Sequence, residues 1–309
     1  MEQLYARDIY GKTLVELGKD DPRIVVLDAD LSGSTRTAIF AKEFPERFFN
    51  FGVAEQNMLA TAAGLASSRK IVFASTFAMF ASARALDQVR NSICYNNLNV
   101  KIVATHGGVT VGEDGASHQA IEDINIMRAI PNMRVIVPAD ALEAKDAVLA
   151  AYKNQGPFYI RLGRSKVDTL TQRKGFTLGK GYILEEGKDL AIISCGILVG
   201  EALKAFKELK KKNISAAVYN MPTIKPIDRE LLIEIAQKYK RILVCEEHQV
   251  TGGLFSAVAE VLVRNCPVLV DCVGIDDRFG QSGSPRELLD YYGLSADSIA
   301  QKAEKLLRQ

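Results

Sequence analysis

Short apolar runs and longer segments of helical period alternate along the whole chain. Ile24–Leu27, Phe48–Phe51, Ile71–Ser75, Val100–Thr105, Arg134–Pro138 and Phe158–Leu162 have the length and apolar content of buried strands. Between them, Arg7–Leu17, Gln56–Ala66, Phe80–Asn91, Glu122–Arg128 and Ala141–Lys153 read as helices. Strand, helix, strand repeated without hairpin signals predicts a parallel sheet covered on both faces. The texture changes after Arg164, where Ser165–Gly181 is polar and basic with little apolar periodicity. A second series follows in Leu190–Cys195, Ala216–Met221, Ile242–Cys245 and Val268–Val273, again with helices between. The pattern predicts an α/β fold of two doubly wound domains: residues 1–170, a linker at 171–184, and a smaller domain at 185–309.

Composition narrows the picture. A chain of 309 residues with 48% hydrophobic and 25% charged residues is expected to be soluble and globular. Its 39 basic and 37 acidic side chains nearly balance, and Lys210–Lys212 is a solvated helix end without interleaved aromatics, so no nucleic-acid surface is expected. The apolar stretch Leu190–Val199 is interrupted and too short to span a bilayer, and no signal peptide is visible after Met1. Cys94, Cys195, Cys245, Cys266 and Cys272 form no CxxC pair and read as free thiols of a cytoplasmic protein.

Ligands of open parallel sheets gather beyond the carboxyl ends of the strands. The residues there are Asp28-Ala29-Asp30, Gly52 to Glu55, Thr76-Phe77, His106-Gly107-Gly108 and Arg164. Two of the three histidines, His106 and His118, bracket one long glycine-rich loop that contains Asp114. That arrangement favours proton transfer or hydroxyl recognition over a solvated loop histidine. His248, in Glu246-Glu247-His248, reads as strand-end packing. Glu55 opens an apolar helix; it serves either the helix dipole or a buried crevice in which a carboxyl shares a proton with a base. No metal-binding spacing, dinucleotide fingerprint or serine-nucleophile elbow is present, and Ala6 stands where a phosphate loop ending in Gly11-Lys12-Thr13 needs glycine.

The segment Phe44-Pro45-Glu46-Arg47-Phe48-Phe49-Asn50-Phe51-Gly52-Val53-Ala54-Glu55-Gln56-Asn57-Met58 resembles the pyrimidine-domain signature of transketolases. Ala74-Ser75-Thr76-Phe77-Ala78-Met79-Phe80, Thr105-His106 through Asp114 to His118-Gln119, Pro131 to Asp140, and Ile160 to Arg164 continue the match in the family's order. Glu246-Glu247-His248 and Asp277-Arg278-Phe279-Gly280 carry it into the second domain. The resemblance implies a thiamine diphosphate pyrimidine-binding sheet followed by a transketolase C-terminal domain.

It also implies roles. Glu55 matches the glutamate that hydrogen-bonds N1′ of the aminopyrimidine, favouring the tautomer that removes the thiazolium C2 proton. Phe77 and Phe80 match positions packed on the pyrimidine, and Asp30 and Leu31 match a loop on the thiazolium side. Arg84 approaches the pyrimidine only if the local alignment shifts by one residue. Arg7, Ser34 and Arg164 match sugar-phosphate contacts, and Asp114 a residue that reads a substrate hydroxyl. His106 and His118 match histidines that recognise hydroxyls and move protons during two-carbon ketol transfer between a ketose phosphate and an aldose phosphate.

One departure stands out. The family's Gly-Asp-Gly…Asn motif, which binds Mg²⁺ and the cofactor's diphosphate, has no counterpart here, and the chain starts directly at the family's second domain. The resemblance therefore implies an N-terminal partner subunit holding diphosphate and Mg²⁺, in an α2β2 assembly; a fragment of a longer enzyme is the alternative. A deoxyxylulose phosphate synthase would carry Asp-Arg-Ala-Gly at 105–108, and a 2-oxoacid dehydrogenase β-subunit a different setting for its glutamate. A non-catalytic subunit that kept the fold would have lost some of Glu55, His106, Asp114 and His118. A two-domain nucleotide-binding protein would bind no such cofactor.

Overall fold

Every residue of Ile24–Asp28, Ile71–Phe77, Val100–Thr105 and Phe158–Arg161 is buried, the pattern of strands covered on both faces. The computed structural model describes residues 3–171 and 176–309. From the first half come β1 (Gln3–Leu4), β2 (Ile24–Asp28), β3 (Phe48–Asn50), β4 (Ile71–Phe77), β5 (Val100–Thr105), β6 (Arg134–Ile136), β7 (Phe158–Arg161) and β8 (Val167–Asp168). From the second come β9 (Tyr182–Glu185), β10 (Leu190–Ser194), β11 (Ala216–Asn220), β12 (Thr223–Lys225), β13 (Arg241–Gln249) and β14 (Leu269–Ile275). One sheet runs β12-β6-β7-β5-β4-β2-β3, parallel except for β12; the other runs β14-β13-β10-β11-β9, parallel except for β9. The two-domain α/β architecture expected from the alternation is present.

Three local features depart from the sequence-based expectation. Phe80–Asn91 does not form one α-helix; it makes two π-helical segments, Phe80–Arg84 and Gln88–Cys94. The Ser82 hydroxyl bonds the Ala78 carbonyl at 2.7 Å, taking up the acceptor four residues back that an α-helical amide would use. Tyr182–Glu185, at the end of the expected linker, pairs antiparallel with β11, so the second sheet begins inside that stretch. Residues 172–175 of the linker lie outside the described residues. β12 crosses back to cover β6 of the first sheet, a return with no hydrophobic run long enough to announce it.

Within the largely apolar contact between the sheets lies a buried polar cluster. The Arg161 guanidinium, at the end of β7, donates from Nε to Asp123 Oδ2 at 2.8 Å and from Nη2 to the carbonyls of Ala120 and Glu247 at 3.0 Å each. The Tyr159 hydroxyl adds a bond to Asp123 Oδ2 at 2.7 Å. A buried guanidinium with three protein acceptors is stable only while its carboxylate remains. Among the described residues no helix is long and apolar enough to cross a membrane, and all five thiols are free.

Replacing Asp123 by alanine removes the carboxylate hydrogen-bonded to the buried Arg161. The expected loss is about 3–5 kcal/mol of stability, read as a lowered urea midpoint, with Asp123→Asn losing less.

Candidate active site

The carboxyl ends of β2, β4, β5 and β7 stand side by side, since Asp28 pairs with Ser75, Phe77 with Thr105, and Ala104 with Arg161. What leaves those ends forms the site. After β2 the chain turns through Asp30, whose φ of 65° the structure holds with two carboxamide and carboxylate anchors. Asn50 Oδ1 accepts the Asp30 and Gly52 amides at 3.0 Å each, joining this turn to the one that precedes Glu55. Asp28, fully buried, accepts the Leu31 amide at 2.6 Å and the hydroxyls of Thr35 and Thr37 at 2.7 and 2.8 Å. Burial pushes the Asp28 carboxyl above the usual range, and those three donors oppose the shift.

Glu55 is the first residue of the helix Glu55–Ser67 and is 1% exposed. Both its carboxylate oxygens accept from Arg84 Nη1 at 3.0 Å. The Arg84 guanidinium lies 4.2 Å from the centre of the Phe80 ring. Phe80 in turn stacks on Phe77 with centroids 5.8 Å apart and planes within 19°. Phe77 then stacks on His106 at 3.8 Å, and the His118 ring meets Phe80 edge-on at 5.3 Å. Glu55, Arg84, Phe80, Phe77, His106 and His118 therefore form one chain of contacts, with Arg84 linking the carboxylate to the rings.

His106 is nearly inaccessible and has a φ of 60°. Its Nδ1 shares a hydrogen bond with Thr105 Oγ1 at 2.8 Å, which orients the ring. Burial first, then the charges of Arg7 and Arg164 and the nearby His118, pull its pKa down to about 3. This imidazole is neutral at any physiological pH. His118 is more open, with Nδ1 3.0 Å from Ser117 Oγ.

Beyond the histidines lies a cationic end. Arg7 donates to the Ser34 carbonyl at 3.1 Å, and its pKa is lowered by burial and then by the positive charges of Arg36 and Arg164. Arg164 bonds the Val111 carbonyl and reaches Glu113 at 3.4 Å and Asp114 at 3.7 Å. Guanidinium groups close enough to disfavour one another's charge mark a seat for an anion. Asp114 is exposed on the loop and is tied to the site through Arg164.

The loop that carries His118 is held from the second domain. Glu247 of β13 accepts the Thr110 amide at 2.6 Å, and Gln119 Nε2 donates to the carbonyls of Val109, Gly112 and Gln281. Gly108 has a φ of 84°, and a Cβ there would sit 2.1 Å from the Glu247 carboxyl carbon, so only glycine fits. Burial raises the Glu247 carboxyl to about 7 against the pull of Arg161 and the Thr110 amide. His248 packs as expected, with Nδ1 2.7 Å from the Gln249 carbonyl and Nε2 accepting the Asn125 amide at 3.3 Å.

Sequence reasoning gave no individual role to Asp28, Asn50, Gln119 and Glu247, and did not single out Arg36. Asp28 and Asn50 carried a signal as polar residues closing apolar strands. Glu247 carried none, because its partner lies 137 positions away. Among the described residues no cluster of His, Cys, Asp or Glu is arranged to hold a metal ion.

An acid, two stacked phenyl rings and two histidines thus line up beyond the strand ends, with arginines at the far end. Known proteins give that arrangement a class. Residues 2–169 match the transketolase pyrimidine-binding domain and residues 179–299 the transketolase C-terminal domain. The chain belongs to the transketolase family and comprises these two domains. It is 54% identical to a putative transketolase C-terminal section of Methanocaldococcus jannaschii, over 95% of this chain and 93% of the relative. It is 41% identical to a 6-deoxy-6-sulfo-D-fructose transketolase subunit of Clostridium sp. (strain MSTE9), over 99% and 95%. A solved split-gene transketolase described as an inactive β4 tetramer superposes with a TM-score of 0.90 at 51% identity, covering 99% of both chains.

A group whose folded pKa is depressed adds stability that is present above its unfolded pKa and is lost as pH falls toward the folded value. For His106 that window runs from the ordinary histidine value of about 6.5 down to about 3. The His106 ring carbons are expected to show no NMR titration between pH 8 and 5, and His106→Asn to lessen the loss of stability on acidification across that window.

Proposed function

We propose that this chain is the C-terminal subunit of a transketolase, moving a two-carbon ketol unit from a ketose phosphate to an aldose phosphate with thiamine diphosphate as cofactor. The observation that carries the reading is the chain of contacts from Glu55 through Arg84, Phe80 and Phe77 to His106 and His118. The donor set suits the cofactor's aminopyrimidine, because a buried carboxylate stands where a ring nitrogen can donate to it and an aromatic face lies alongside.

When bound, the thiazolium ring supplies the carbanion-stabilising chemistry. The protein's contribution is orientation, a dry slot and proton handling. Glu55 would accept a hydrogen bond from a protonated pyrimidine N1′ and so favour the tautomer whose exocyclic nitrogen is basic. Phe77 and Phe80 hold the pyrimidine plane, and the Asp30-Leu31 turn, braced by Asn50 and Asp28, borders the thiazolium side. His106, neutral with Nδ1 engaged by Thr105, offers Nε2 to a substrate hydroxyl. His118, the more exposed ring, moves the proton of the substrate C3 hydroxyl as the C2–C3 bond breaks. Asp114 reads a hydroxyl farther along, and Arg7, Ser34 and Arg164 hold the terminal anion.

Mg²⁺ and the diphosphate belong in this reading to a separate N-terminal subunit, in an α2β2 assembly in which this chain also self-associates. The names of two relatives, a C-terminal section and a split-gene enzyme, support that division. A sulfonated sugar is a second reading for the substrate. It is favoured by the relative named for 6-deoxy-6-sulfo-D-fructose and by arginines that accept either tetrahedral anion.

Ketol transfer from xylulose 5-phosphate to ribose 5-phosphate is expected only when this chain, its partner, Mg²⁺ and thiamine diphosphate are combined. Glu55→Gln should lower kcat in that mixture by about 10²-fold or more. Cofactor binding without turnover would redirect the substrate to the sulfonated sugar; tight metal-dependent binding by this chain alone would overturn the two-subunit reading.

A further inference from the structure

Resting on the reading of Glu55 as the cofactor's contact, one side chain in the slot calls for its own account. Arg84 Nη1 bonds both carboxylate oxygens of Glu55, and the same guanidinium lies over the Phe80 ring 4.2 Å from its centre. Phe80 is backed by Phe77, so the guanidinium caps a two-ring stack. The main chain of Arg84 is tied to the Glu55 helix as well, since its carbonyl accepts from Gln56 Nε2 at 3.0 Å.

A guanidinium is a flat N–C–N group that donates to a carboxylate in its own plane and lies well on an aromatic face. An aminopyrimidine with a protonated ring nitrogen offers the same two features. Two flat groups cannot occupy one carboxylate edge and one ring face together. We propose that Arg84 is a built-in stand-in for the aminopyrimidine, seated on Glu55 and Phe80 until the cofactor displaces it.

The asymmetry of exposure suits such an exchange. Glu55 is 1% exposed, whereas the Arg84 side chain is 46% exposed. A carboxylate buried that deeply without a partner would weaken the fold, and Arg84 supplies the partner. Arg84 itself regains water by swinging outward, so its departure costs far less than loss of a pair buried on both sides. The π-helical turn Phe80–Arg84 carries stack and latch on one short segment, and the backbone leaves helical geometry at Ala85. Arg84 is therefore a competitor for the carboxylate edge and the ring face, and its removal should help cofactor loading.

The test is calorimetric titration of thiamine diphosphate with Mg²⁺ into the assembled subunits, using the wild type, Arg84→Gln, Glu55→Gln and the double variant. Arg84→Gln is expected to bind the cofactor about three- to tenfold more tightly, the scale of a half-exposed charged hydrogen-bond pair. In the Glu55→Gln background the same change should have no effect, because the shared seat is gone. Guanidinium ion at sub-denaturing concentration should weaken cofactor binding to Arg84→Ala, by refilling the vacated place, while leaving the wild type unchanged. Equal or weaker binding by Arg84→Gln, with wild-type binding intact and sensitive to Glu55, would overturn the stand-in role alone. Wild-type binding insensitive to Glu55→Gln would remove the cofactor reading and this inference with it.

Discussion

The Arg161 guanidinium is the interaction on which the rest of the site depends. It closes β7, reaches Asp123 across the first sheet, and takes the backbone of Glu247 from the second. Around it the helix Asp123–Ala129, the loop after β5 and strand β13 find their relative positions. A positive charge buried this deeply tolerates little displacement, since each acceptor lost leaves a donor without water to replace it. Glu247 then passes the constraint to Thr110, and Gln119 binds the loop to itself and to Gln281. The second domain thus acts on the site without lining it: it sets where the loop between the two histidines runs.

Within that frame the electrostatics are graded along the slot. One end holds a buried carboxylate, Glu55, matched by a single half-exposed cation. The other gathers Arg7, Arg36 and Arg164, and the pKa of Arg7 is lowered by burial first and then by the charges of the other two. Between them a phenyl stack merges into an imidazole that burial and those cations hold neutral. The neutral His106 is suited to hydrogen bonding with hydroxyls and unsuited to carrying charge, while His118 lies on the more open side.

Much of this was legible in the chain because parallel strands write continuous apolar runs and place their chemistry directly after them. Glu55, His106, Phe77 and Arg164 could be found by reading the residues that follow each run. Their roles could not: a glutamate at a helix start and a phenylalanine pair are ordinary by position, and only the family resemblance gave them tasks. What stayed hidden was set by distant partners. Glu247 and Arg161 lie in strand-like sequence, and nothing local says that one supports a loop and the other a seam. The π-helical turns escaped because the stretch around Ala81-Ser82-Ala83 reads as ordinary helix, and the Ser82 hydroxyl bond to the Ala78 carbonyl leaves no mark in the pattern. The expected linker blurred for a similar reason, since Tyr182–Glu185 is only half buried and shows no strong run.

The strand β12 has an architectural consequence. The second half of the chain lends Thr223–Lys225 to the edge of the first sheet before returning to its own. The halves are thus interlocked by topology as well as joined by a tether, and the stretch between them is no true perforation line. A first domain cut out alone would expose the β6 edge, a row of unsatisfied amides and carbonyls that invites pairing with another chain. Modular exchange of domains between relatives therefore has to carry the borrowed strand along, and the natural unit of inheritance is the interlocked pair.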